Sequence, residues 1–188
     1  SIAREVQRKL LPQSVPQLPG LSMAASSISA QEVGGDYYDF VQLENDRYGV
    51  IIGDVSGKGT SAAFYMAEMQ GIFQSVSRLA ATPSIFFHYA NMALAQTLDR
   101  NVFISAIYMI IDLKNETLDM ARAGHCPAAT VRLSGESRFL RTKGLGLGLD
   151  RGDLFLKSLE EERSNLEPGD VCVRDRDGGV ESRKQEGE

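Results

Sequence analysis

The chain has little of what usually announces a function. Its two cysteines, Cys126 and Cys172, stand too far apart and are too few for a disulfide scaffold, which fits a reducing, cytoplasmic setting. It has no excess of basic residues: 20 Lys and Arg against 25 Asp and Glu leave a net charge of −5. That balance argues against a general nucleic-acid-binding surface. No signal peptide opens the chain, only a charged, amphipathic segment behind Ser1, and the lack of an initiator Met leads us to expect a piece of a longer protein. The uncharged run over residues 79–98 is long enough to suggest a membrane span. Pro83, Ser84, His88, Asn91, Gln96 and Thr97 make it too polar for one, so it reads as a helix with its preceding turn. No internal repeat or low-complexity tract is visible. What remains, 43% hydrophobic and 24% charged residues over 188 positions, is the composition of one globular domain large enough for a substantial core.

Three acidic turns stand out against this background. The central one is Gly53-Asp54-Val55-Ser56-Gly57-Lys58-Gly59-Thr60. It follows the apolar run Tyr48-Gly49-Val50-Ile51-Ile52, which reads as a buried strand, and precedes an Ala/Met-rich helical segment. The other two are Gly34-Gly35-Asp36-Tyr37-Tyr38-Asp39-Phe40 and Asp175-Arg176-Asp177-Gly178-Gly179. Gly57-Lys58-Gly59-Thr60 looks superficially like a phosphate-binding P-loop. That loop requires G-x-x-x-x-G-K-[ST], whereas Gly53 stands one residue too close to Gly57 and Gly59 fills the Ser/Thr slot. Asp-bearing turns without His or Cys neighbours suit hard, oxygen-preferring cations such as Mg2+ or Mn2+.

Around these turns the hydrophobic spacing predicts an α+β protein. Residues 1–11 carry Ile2, Val6 and Leu10 at helical spacing before Pro12, Pro16 and Pro19 break the pattern. This segment reads either as a docking helix or as the end of a signalling linker. Residues 21–30 read as a strand. Ala62, Met66, Met69, Phe73 and Val76 mark the buried face of a helix over residues 60–79. Pro83 suits the first turn of a second helix, with Phe87, Ala90, Leu94 and Leu98 as its buried stripe. Residues 102–113 and 118–124 then read as strands joined by a hairpin turn at 114–117. Further strands are expected over 128–133, 154–159 and 171–173. Strands, two helices and a run of strands joined by short turns imply antiparallel sheets.

These residues resemble the RsbU/SpoIIE-type branch of the metal-dependent (PPM, protein phosphatase 2C-like) serine/threonine phosphatases. The resemblance rests on five elements in order. They are Ala3-x-x-Val6-Gln7-x-x-Leu10-Leu11-Pro12, Val33-Gly34-Gly35-Asp36-Tyr37-Tyr38-Asp39-Phe40, Gly53-Asp54-Val55-Ser56-Gly57-Lys58-Gly59, Ala123-Gly124-His125-x-Pro127 and Leu166-Glu167-Pro168-Gly169-Asp170. Asp177-Gly178 corresponds to the family's Thr-Asp-Gly turn.

The resemblance implies an α-β-β-α sandwich of two antiparallel sheets flanked by helices, with residues 1–19 as a linker helix and Pro-rich turn and residues 20–188 as the phosphatase domain. It implies two Mn2+ or Mg2+ ions, with Asp36 on one side, Asp54 bridging both, the Val55 carbonyl as a further ligand and Asp177 completing the site. Asp36 and Asp54 are thereby the catalytic carboxylates, and no protein nucleophile is needed. A further metal-binding Asp of the family falls beyond Glu188, so the domain is expected to be incomplete at its C-terminus. Arg174, Asp175 and Arg176 replace the family's apolar strand end, and Gly146 stands where a Pro is usual. His125 reads either as a general acid or as a structural histidine in a tight turn, the latter being preferred. Lys58 reads as a solvated loop lysine rather than a phosphate contact. The implied partner is a phosphorylated protein, an anti-sigma-factor antagonist in a bacterial partner-switching pathway. An upstream sensor or response-regulator domain, dimer contacts through the N-terminal helix, and no nucleic-acid or membrane partner complete the expectation. The competing reading is a catalytically silent domain of the same fold that binds a phosphoprotein.

Overall fold

The computed structural model of the chain describes residues 2–25, 35–57 and 59–173. Among them the chain order is α1 (Ile2–Leu10), β1 (Asp36–Gln42), β2 (Arg47–Val55), α2 (Thr60–Val76), α3 (Pro83–Thr97), β3 (Ile104–Asp112), β4 (Thr117–Ala123), β5 (Ala128–Val131), β6 (Ser137–Leu140), α4 (Asp153–Ser158), β7 (Glu161–Asn165) and β8 (Val171–Val173). The strands form two sheets, ordered β1-β2-β3-β4-β7 and β6-β5-β8. Every pairing is antiparallel, so the expected α+β class holds.

The larger sheet is covered on both faces, which explains the nearly continuous apolar runs of β2 and β3. On one face Tyr37, Val41, Ile51, Val55, Tyr108 and Ile110 pack against Met66, Met69 and Phe73 of α2 and Phe86, Phe87, Ala90 and Leu94 of α3. Of the expected stripes, Ala62, Met66, Met69 and Phe73 of α2 and Phe87, Ala90 and Leu94 of α3 are buried, while Val76 is half-buried and Leu98 is buried just past the end of α3. Tyr108 sits among Phe73, Phe86 and Phe87 in edge-on geometry, with ring centroids 5.5, 4.7 and 6.4 Å away. Contacts of this kind add about 0.5–1.5 kcal/mol each beyond their burial. The opposite face, with Val50, Ile107, Met109, Leu118 and Met120, meets Ala128 and Leu140 of the smaller sheet. Helix α3 starts where expected: Pro83 occupies its first turn and the Thr82 hydroxyl accepts from the Ile85 N–H at 3.4 Å.

Three local expectations give way. Residues 154–159 form most of α4 rather than a strand, because the Asp150 carboxylate accepts from the N–H groups of Gly152 (3.1 Å) and Phe155 (2.9 Å) and holds a helical turn. Phe155 is its buried residue, while Leu154 and Leu156 face outward. Helix α1 does not dock through Val6, which is 38% exposed; Gln7 is the buried residue, at 7%. Its Nε2 lies 3.7 Å from Met66 Sδ, and Gln70 of α2 donates to the Leu10 carbonyl at 2.8 Å. The α1 contact is therefore built on amide groups as well as on half-buried Leu10. Residues 21–25 form no strand beyond a bridge between Leu18 and Leu21, and 26–30 lie outside the described residues.

Candidate metal centre

The site begins with a register. In the β1–β2 pair, Asp36 stands opposite Asp54. The Val55 N–H donates to the Gly35 carbonyl at 3.0 Å, so 35–55 is a hydrogen-bonded pair and 36–54 is the adjacent non-bonded one. Side chains approach closest in such pairs, with Cα atoms about 4.5 Å apart. Both carboxylates project from the face that meets the smaller sheet: Asp36 alternates with Tyr38 and Phe40, and Asp54 with Val50 and Ile52. Like charges directly opposite one another across a pair are destabilising. At roughly 5 Å and an effective dielectric of about 20 the repulsion is about 3 kcal/mol, reduced here by the half-exposure of both groups. A cation between them reverses the sign of that term.

Gly35 closes the cradle. A Cβ at this position would lie 2.3 Å from the Val55 carbonyl oxygen and 2.5 Å from Asp54 Oδ1. Only a residue without a side chain lets the backbone pass so near both oxygens. Two carboxylates and a backbone carbonyl thus gather at one end of the inter-sheet layer. All three are hard oxygen donors, the set that suits Mg2+ or Mn2+, and three donors leave coordination positions to water. The residues present fit the expected metal. Among the described residues no group of three or more His, Cys, Asp and Glu side chains gathers. Asp177 and Lys58 lie outside the described residues, so the structure brings together Asp36, Asp54 and Val55 of the expected set. A cavity of about 840 Å³ opens on the same face, lined by Tyr38, Phe40, Ile52, Met109, Leu118 and Cys172 among others. Its apolar lining includes neither aspartate, which marks it as space between the sheets rather than the reactive site.

Sequence reasoning passed over the support behind these ligands. Asp39 lies three residues after Asp36, which in a strand puts it on the opposite face. It is 6% exposed and accepts hydrogen bonds from Tyr37 Oη (2.8 Å), Gln74 Nε2 (2.9 Å) and the Phe40 N–H (2.8 Å). Gln74 also donates to the Phe40 carbonyl at 3.1 Å. Helix α2 is thereby tied to the strand that carries Asp36. Burial first, and then the adjacent Asp39 carboxylate, push the Tyr37 phenol far above its ordinary range, so it stays a neutral donor. The missed signal was the second Asp of the Asp36-Tyr37-Tyr38-Asp39 run, whose period-two position pointed it at the helices. His125 is 5% exposed, and its Nδ1 lies 2.8 Å from Ser105 Oγ. Burial and the Ser105 contact support the structural reading of this histidine.

Residues 44–188 match the family model of stage II sporulation protein E (SpoIIE). The chain is 32% identical over 187 residues to phosphoserine phosphatase RsbU of Bacillus subtilis, covering 99% of this chain and 54% of RsbU. It therefore spans about half the length of that relative. The SiaA-PP2C domain of Pseudomonas aeruginosa superposes with a TM-score of 0.69 at 17% identity, over 91% of this chain and 67% of that one. The RsbU and RsbW domains of Rv1364c from Mycobacterium tuberculosis give 0.65 at 21% identity, over 77% and 39%. At these identities the two structures show the fold, a PP2C-type sandwich.

Proposed function

The chain belongs to the stage II sporulation protein E (SpoIIE) family, and from that premise we propose that it is a metal-dependent protein serine/threonine phosphatase. The observation that carries the reading is the Asp36–Asp54 opposition closed over by Gly35. In this reading Asp36, Asp54, the Val55 carbonyl and Asp177 would hold the ions, with Asp54 as the carboxylate shared by them. Bound there, Mn2+ or Mg2+ ions would neutralise the phosphate and lower the pKa of an attacking water. The chain's own part is to hold and orient the oxygens. Tyr37, Asp39 and Gln74 lock β1 against α2 behind the ligands. Ser56, the hydroxyl nearest Asp54 in sequence, accepts from the Phe103 N–H at 2.7 Å and braces the loop.

The substrate class is phosphoserine or phosphothreonine on a regulatory protein, an anti-sigma-factor antagonist of a partner-switching pathway; the phosphoserine phosphatase activity named for RsbU supports the phosphoserine part. In the intact protein the domain works in the cytoplasm under an upstream sensor or response-regulator domain, with α1 as the connecting and dimer-forming element. No helix among the described residues is long and apolar enough to cross a membrane. The test is phosphate release from phosphoserine, phosphothreonine and phosphotyrosine peptides in Mn2+ and in EDTA. Mn2+-dependent release from the first two supports the reading. Saturable binding of the phosphopeptides with no release in Mn2+ would instead make the chain a silent binding module.

A further inference from the structure

The Asp36–Asp54 pair is part of a longer row. Ser105 of β3 stands opposite Asp54 on the other side of β2. Partners across antiparallel strands project to the same face, so Asp36, Asp54 and Ser105 line up over three strands. The Ser56 N–H donates to the Phe103 carbonyl at 2.9 Å, which by alternation makes 54–105 a hydrogen-bonded pair with Cα atoms about 5.5 Å apart. The row then continues to His125, whose Nδ1 lies 2.8 Å from Ser105 Oγ.

His125 is held with unusual care for a residue that is 5% exposed. Its carbonyl accepts from Arg122 Nη1, and the same guanidinium donates to the Thr142 carbonyl from Nε (2.9 Å) and Nη2 (2.6 Å). Gly124 before it has φ 69°, and its N–H donates to the Gly144 carbonyl at 2.9 Å. A Cβ on Gly124 would lie 2.7 Å from the Gly146 nitrogen. Three segments thus converge on the backbone around His125, whose imidazole by the described contacts reaches the row through Ser105.

We infer that Ser105 and His125 are a positioning pair for Asp54. In the neutral Nδ1–H tautomer the ring donates to Ser105 Oγ, which fixes the hydroxyl rotor and leaves its O–H to donate toward the Asp54 carboxylate. The carboxylate is thereby oriented before a cation arrives. The inference rests on the metal-centre reading of the same site. A pair that merely braces β3 against the 124–127 turn would affect folding without affecting metal affinity.

The test is calorimetric Mn2+ titration of the chain and of Ser105→Ala, His125→Ala, His125→Asn and Asp54→Asn, with thermal unfolding of each. Loss of an outer partner of a metal ligand typically costs 10–100-fold in affinity, so Ser105→Ala and His125→Ala are expected to bind about 10–100-fold more weakly. His125→Asn, which keeps a donor near the Nδ1 position, is expected to recover most of the loss. A readout independent of affinity comes from the imidazole 15N spectrum, which holds two residues' signals because the chain has two histidines. Mg2+ should shift the His125 signals saturably in the unsubstituted chain and leave them in place in Ser105→Ala. Binding that Asp54→Asn abolishes, while Ser105→Ala and His125→Ala stay within about twofold, overturns the pair alone. Absence of saturable binding by the unsubstituted chain overturns the metal-centre reading and the pair with it.

Discussion

A single added methyl group tests whether the cradle around Gly35 is as tight as the geometry states. In Gly35→Ala the new Cβ would start 2.3 Å from the Val55 carbonyl oxygen and 2.5 Å from Asp54 Oδ1, where ordinary contact begins at 3.4 Å. The first neighbour is backbone and cannot rotate away, so either β2 or the 35–36 segment must move by about 1 Å. Overpacking of this kind costs roughly 1–3 kcal/mol. At about 2–4 °C per kcal/mol for a domain of this size, Tm should fall by about 2–12 °C. The displaced groups are the proposed ligands themselves, and a misplacement of about 1 Å can cost on the order of 100-fold in turnover. Gly57→Ala is the internal control, since among the described residues a Cβ there meets nothing within 4 Å. Scanning calorimetry and Mn2+-stimulated phosphopeptide hydrolysis of the two variants side by side make the comparison. A Gly35→Ala protein that matches Gly57→Ala in both assays would refute the cradle.

Other consequences are as direct. Gln74→Ala removes two hydrogen bonds, one of them to the buried Asp39 carboxylate; denaturant unfolding should show a loss of about 1–3 kcal/mol, and an unchanged midpoint would mean that water replaces the amide without cost. Burial pushes the Tyr37 and Tyr108 phenols above their ordinary value of 10 in the folded chain. The folded state keeps protons that the unfolded state loses, so stability from these groups is complete below pH 10 and falls above it. The slope should reach up to about 1.4 kcal/mol per pH unit for each phenol, and urea unfolding that is flat between pH 9 and 11 would contradict it. At the N-terminal helix, Val6→Glu should change stability by less than about 0.5 kcal/mol because Val6 is exposed. Gln7→Ala and Leu10→Glu should loosen α1 from α2 and alter phosphatase activity, because α2 starts just after the Asp54 loop. Activity that stays flat across the three reduces α1 to a docking element.

Much of this arrangement was legible in the sequence where one periodicity dominated. The stripes of α2 and α3 show because each helix buries one apolar face against a sheet, and β2 and β3 show because both faces are covered. Gly53–Asp54 stood out because an apolar strand carries a carboxylate at its end, although both residues belong to β2 rather than to a turn. Strand β1 was harder: Asp36 and Asp39 make it read as a turn, although the two point to opposite faces and serve different ends. Strand β7, Glu-Glu-Arg-Ser-Asn, has no apolar residue to signal it. It is an edge strand recognisable only by its partner, with Arg163 forking onto the Asp119 carboxylate at 2.6 and 2.8 Å. Leu154-Phe155-Leu156 imitated a strand because the capping carboxylate that bends it into α4 lies four residues before Leu154. The Ser105 link to His125 depends on the register of β3 against β2 and on a turn twenty residues away. No local pattern carries that information.

The measurement that bears most directly on the account is Mn2+-stimulated hydrolysis of a phosphoserine peptide by Asp54→Asn beside the unsubstituted chain, with circular dichroism of both. Asp54 is half-exposed and contributes no apolar packing, so Asn should preserve the fold while removing the carboxylate charge proposed to hold the metal. The account predicts matching spectra, metal-stimulated release by the unsubstituted chain, and none by the variant. Metal-stimulated release that persists in a well-folded Asp54→Asn protein would contradict it.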